Sequence, residues 1–103
     1  MASKILIDRQ QVFLGGRYVA YIKVYEVDKN KKFPDGIKAR YVLVDAYKGV
    51  PRLLVDNHEP YGYHMHTRLP KNKSHRVKLE VDHYLDALDI FLDETKRILK
   101  DEA

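Results

Sequence analysis

A chain of 103 residues, 45% of them hydrophobic and 33% charged, is long enough for one packed core and too short for two ordinary domains, so a single domain spanning 1–103 is expected. The absence of cysteine excludes disulfide staples and thiolate sites, which leaves stability to packing and makes a reducing compartment such as the cytoplasm the expected setting. The formal charge of +4 hides a division at Glu80: 16 Lys and Arg stand against 7 Asp and Glu before it, and 3 against 8 from there on, so a basic part able to attract polyanions precedes an acidic one.

In chain order, the first fourteen residues are interrupted by Lys4, Asp8, Arg9 and Gln10-Gln11, a pattern of neither a signal-peptide core nor a membrane span. Gly15-Gly16 then separates KILIDRQQVFL from RYVAYIKVYEVD, and two adjacent glycines supply the positive φ of a tight hairpin turn. On the second of these strands Tyr18, Ala20, Ile22 and Val24 share one face while Tyr21, Lys23 and Tyr25 share the other. The stretch KNKKFPDG, residues 29–36, reads as an exposed loop closed by Asp35-Gly36. Beyond it IKARYVLVDAY and VPRLLVDN flank a turn at Lys48-Gly49, with Pro51 expected at a strand start or an edge, where its missing N–H does least harm. A second basic loop, PKNKS, covers residues 70–74.

From Glu80 the period lengthens: Val81, Tyr84, Leu85, Leu88, Phe91, Leu92, Thr95, Ile98 and Leu99 recur every three or four residues, as on one face of an amphipathic helix. Glu80 and Asp82 are placed to favour its positive end, and Lys96, Arg97 and Lys100 its negative end. A small open sheet needs a cover for its apolar face, so the expected fold is α+β, an antiparallel sheet of hairpin-connected strands packed against one C-terminal helix. An unpaired sheet edge leaves room for a homodimer.

The stretch LLVDNHEPYGYHMHTR, residues 53–68, gathers three of the five histidines beside an Asp-Asn pair and an arginine. On an extended segment His64, His66 and Arg68 would point together, with Tyr63 and Met65 opposed; a hairpin turning at Glu59–Tyr61 sets either Asp56 or Asn57 opposite His64, depending on register. Two imidazoles and a guanidinium suit metal-independent RNA cleavage, one ring removing the ribose 2′-OH proton, the other protonating the leaving oxygen, and Arg68 stabilising the phosphorane. Asp56 or Asn57 would orient a ring, with His58 as an auxiliary in the loop. Lys23, Lys38, Arg40, Arg52 and Arg76 would hold the RNA backbone, and surface tyrosines such as Tyr25 would stack bases. Two other readings fit the same residues: a metal site of His64, His66 and Asp56, or a polar hairpin whose histidines do no chemistry. His75 and His83 read as surface residues.

The order IKVYEV, YVLVDAYKGVPRLLVDNHEP, His-x-His and terminal helix resembles the TumE family of small toxins from toxin-antitoxin pairs, over about Tyr21 to Leu99. The resemblance is strongest at Val55-Asp56-Asn57 and His64-Met65-His66. It implies a toxin that restrains the growth of its own cell and is neutralised by a cognate antitoxin bearing a helix-turn-helix DNA-binding part, with Asp56, Asn57, His64 and His66 as the family-like positions. Glu59 to Tyr63 stand where other members have a denser histidine run, which favours a two-histidine acid-base pair needing no cofactor over a multi-histidine metal site. The alternatives are a non-catalytic module binding nucleic acid or protein and a metal-dependent phosphodiesterase or nucleotidyl-transferring enzyme.

Overall fold

The hairpin turns set the topology. In the computed structural model, which describes residues 4–102, six strands form one sheet in which every strand pairs antiparallel with its neighbour in sequence: β1 (Lys4–Phe13), β2 (Tyr18–Glu26), β3 (Ile37–Asp45), β4 (Val50–Asp56), β5 (His64–His66) and β6 (Val77–Lys78). A short 3-10 turn at Leu14–Gly16 joins β1 to β2 where the paired glycines predicted a reversal. The 29–36 loop closes through a hydrogen bond from the Val27 N–H to the Gly36 carbonyl at 2.8 Å. Only glycine fits there, because φ is +73° and a Cβ would stand 2.9 Å from the Val27 carbonyl oxygen. Pro51 is the second residue of β4, on a stretch that β5 does not reach, since β5 pairs only with Leu54, Val55 and Asp56.

The alternation in β2 sorts its residues as the sequence predicts. Tyr18, Ala20, Ile22 and Val24 are fully buried, together with Ala39, Tyr41 and Leu43 of β3, Leu53 and Val55 of β4, and the nearly buried Met65 of β5. The helix α1 (Tyr84–Glu102) packs on β3 and β4 and closes this face with Ala87, Leu88 and Phe91. The Phe91 ring lies 5.7 Å from that of Tyr41, and the Tyr41 hydroxyl donates to the Tyr84 carbonyl at 2.9 Å, tying the first helical turn to the sheet. Burial, with Tyr63 and Tyr84 adding to it, raises the Tyr41 hydroxyl well above its ordinary pKa, so it remains a donor. Tyr41→Phe is expected to cost about 1 kcal/mol in chemical denaturation; an unchanged midpoint would show that this bond contributes nothing net.

The helix begins at Tyr84, four residues later than its apolar period suggests. Val81 packs against the core from the segment before it. Glu80 and Asp82 therefore precede the helix, and Asp86 is the acid of its first turn. His83 takes a capping role, its Nδ1 accepting the Leu85 N–H at 3.1 Å and its ring stacking on Tyr84 at 4.4 Å. Leu85, expected in the buried stripe, is 50% exposed, whereas Ala87 is fully buried where the helix meets the sheet. Among the described residues no helix is long and apolar enough to cross a membrane.

Candidate functional site

The face of the sheet turned away from α1 is open, and the strand register assembles a row across it. Lys23 opposes Arg40, Arg40 opposes Asp56, Asp56 opposes His64, and His64 opposes Lys78, one residue from each of β2 to β6. At an interstrand spacing of about 4.8 Å the row runs roughly 19 Å. Beside it, Tyr25 opposes Lys38 and Tyr21 opposes Val42. Tyr21, Val42, Val44 and Pro51 floor a groove of about 460 Å³ bordered by Lys23 and Arg40. Four of the six residues expected to hold nucleic acid, Lys23, Tyr25, Lys38 and Arg40, thus share this face.

The β4–β5 connection delivers the histidines. Of the two registers open to the sequence, the structure adopts the one pairing Asp56 with His64. Asn57 is drawn away from the open face: its Oδ1 accepts the Ala39 N–H at 2.9 Å and its Nδ2 donates to the Ile37 carbonyl at 2.8 Å. Its carboxamide thereby extends the β3–β4 ladder beyond Asp56, and its place beside Asp56 is structural. Asn57→Ala leaves the Ala39 N–H without its acceptor and the Ile37 carbonyl without its donor, and is expected to cost about 2–3 kcal/mol in denaturant titration; a loss below about 0.5 kcal/mol would contradict this role.

The turn then folds back on itself. The His58 carbonyl accepts from the N–H groups of Tyr61 and Gly62, both at 3.1 Å, and the Glu59 N–H donates to the Lys32 carbonyl at 2.9 Å. Gly62, with φ +61°, permits the tight return into β5. As a result His58 packs edge-on against His64 at 5.0 Å between ring centroids, and Tyr61 packs against both, at 5.7 and 5.5 Å.

His64 is almost fully buried, and its Nδ1 lies 2.8 Å from the Gly62 carbonyl. A carbonyl only accepts, so Nδ1 carries the proton and Nε2 keeps its lone pair. Burial lowers the His64 pKa; the Gly62 carbonyl and Asp56 oppose this, while His66 and His58 reinforce it. His58 repeats the pattern, with Nδ1 3.3 Å from the Glu59 carbonyl and Nε2 3.9 Å from Asp56 Oδ2. Among the described residues Asp56, His58 and His64 each offer a ligand or proton-accepting atom within 4.8 Å of the others.

Not every candidate joins them. His66 packs against His64 at 5.1 Å but is itself buried, with Nδ1 lacking a hydrogen-bond partner. β5 ends at His66, so the alternation that would align Arg68 with the histidines stops there. Arg68 instead lines a cleft of about 760 Å³ with Asp45, Lys48, Arg52 and Lys71. A bulge between β3 and β4 takes Arg52 out of the alternation, and its guanidinium donates to the Tyr18 hydroxyl at 3.2 Å. The guanidinium beside the histidines is that of Arg76, 4.0 Å from the centre of the Tyr61 ring. Arg76, Tyr61, His64, Pro60 and Lys78 line a shallow pocket of about 240 Å³.

The chain matches no family model, no curated protein and no solved structure.

Proposed function

We propose that this chain is a growth-restraining toxin that binds single-stranded RNA along the open sheet face and cleaves it at the turn holding Asp56, His58 and His64. The observation that carries the reading is the convergence of two imidazoles, a carboxylate and the Tyr61–Arg76 stack at the end of a row that begins with Lys23 and Arg40. His64 Nε2 takes the ribose 2′-OH proton, and the resulting oxygen attacks the adjacent phosphorus. His58 protonates the departing 5′-oxygen, leaving a 2′,3′-cyclic phosphate and a new 5′-hydroxyl. Asp56 orients His58, and Arg76 with Lys78 neutralises charge on the pentavalent phosphorus. Bases stack on Tyr61 and on the tyrosines of the groove while Lys23, Lys38 and Arg40 hold phosphates. The site acts in the cytoplasm, and a cognate antitoxin silences it by covering the open face.

The test is incubation of the purified protein with labelled single-stranded RNA in excess chelator, alongside induction of the chain in a bacterial host. Fragments ending in cyclic phosphate and arrested growth are expected. RNA left intact across pH and salt would end the cleavage reading. Binding without cleavage would identify the second reading, a non-catalytic RNA-binding module, which the groove floored by Tyr21, Val42 and Pro51 favours.

In either case affinity should fall with salt as phosphate contacts release counterions. The double variant Lys23→Ala, Arg40→Ala is expected to reduce the slope of log K against log salt by about 1.4, from roughly 0.7 per contact on single strands. Fluorescence anisotropy over a salt series measures it, and a slope equal to the parent's would remove the row from the interface.

A further inference from the structure

We infer that Asp56, His58 and His64 form a binding site for one divalent transition-metal ion of the zinc type. The inference concerns the chain alone and holds whether or not RNA is its substrate.

Three features of the site lead to it. The first is the donor set: two imidazole nitrogens and a carboxylate oxygen, all within 4.8 Å of one another, with His58 Nε2 and Asp56 Oδ2 already at 3.9 Å. Ligands around a tetrahedral zinc-type ion, each about 2.1 Å from it, stand about 3.4 Å apart, so the cluster needs only small side-chain rotations to close.

The second is the tautomer. In both rings Nδ1 faces a backbone carbonyl, Glu59 for His58 and Gly62 for His64, leaving Nε2 as the free lone pair. Metal-ligating histidines are fixed in this way, the non-ligating nitrogen donating to a carbonyl or carboxylate that sets ring orientation. In Asp56, Oδ1 accepts the Asn57 N–H at 2.9 Å, so Oδ2 is the oxygen turned to His58.

The third is the placement of the ligands. Asp56 and His64 sit on paired strands, so their separation is fixed by the sheet, and His58 is held over them by the two N–H groups that its own carbonyl binds. Three protein ligands leave a fourth position for water or an anion, and the Tyr61, Arg76 and Lys78 pocket borders His64. Imidazole and carboxylate together suit zinc, cobalt, nickel or copper, whereas calcium and magnesium prefer all-oxygen sites. The metal uses the same Nε2 lone pairs as proton transfer, so a bound ion and the acid-base reaction exclude each other.

The experiment is titration of the chelator-treated protein with Zn²⁺ by calorimetry and with Co²⁺ by visible absorption, without RNA. One ion per chain is expected, with Co²⁺ giving the d–d bands of a four- or five-coordinate site. His58→Ala and Asp56→Asn, whose folds are checked by circular dichroism, should each weaken binding at least tenfold, and His75→Ala should not. His58 and Asp56 are partly exposed, so these variants are expected to fold even where His64→Ala does not. No stoichiometric binding, or equal binding by the parent and His58→Ala, would overturn the site. Because the readout is metal occupancy, failure here leaves the RNA reading intact, and intact RNA in the cleavage assay leaves this one intact.

Discussion

His64→Ala is expected to lower RNA cleavage in chelator by about 10²- to 10⁴-fold, the range for removing a positioned general base. The ring is buried, its Nδ1 proton is spent on the Gly62 carbonyl, and strand pairing fixes its place opposite Asp56. The neighbouring arginines sharpen the test. Arg76→Ala should cost about tenfold or more, because it removes charge from the pocket that His64 lines. Arg68→Ala should leave the rate near the parent's, because Arg68 lines a different cleft. A rate assay on variants shown by circular dichroism to fold decides the matter. Parent-like activity in His64→Ala, or a greater loss for Arg68→Ala than for Arg76→Ala, would refute the assignment.

Phe91→Ala is expected to destabilise the fold by about 3–5 kcal/mol, the usual cost of emptying an aromatic site in a core. Phe91 is fully buried at the middle of α1 and packs on Tyr41, so its loss opens a cavity where the helix meets the sheet. Against a total stability of roughly 5–15 kcal/mol, this consumes a large share of what holds the domain together. At about 4–8 °C per kcal/mol for a domain of this size, the melting temperature should fall by about 12 °C or more. A loss under about 1 kcal/mol would mean that the helix does not seal the core through this residue.

The fold was largely legible in the sequence because its signals are local. Period-two alternation in β2, glycines at reversals and a change to a helical period each need only a few adjacent residues to be read. The apolar period points to a helix start at Glu80, before the observed Tyr84, because it extends through Val81, which packs on the core without being helical. The histidine cluster was legible only in part. Asp56 opposite His64 was one of two registers that a hairpin allows, and which histidine would join them depended on the return of the 58–62 turn, where the His58 carbonyl binds two N–H groups. Arg76 was expected to hold the RNA backbone but could not be placed beside His64, and Lys78 was not singled out at all: β6 has two residues, too few for any periodicity, Arg76 precedes it, and Lys78 meets His64 only through strand pairing.

The meander has a consequence for the order in which the protein is made. Every strand pairs with the one synthesised just before it, so each hairpin can close as it leaves the ribosome. The helix comes after all six strands. Without residues 84–102 the ring of Tyr41 and the side chains of Ile22, Leu43, Leu53 and Val55 lack the helix that covers them. A sheet without α1 would have both sides exposed, with its apolar side unroofed. Docking of α1 is the step that roofs the apolar side of the sheet.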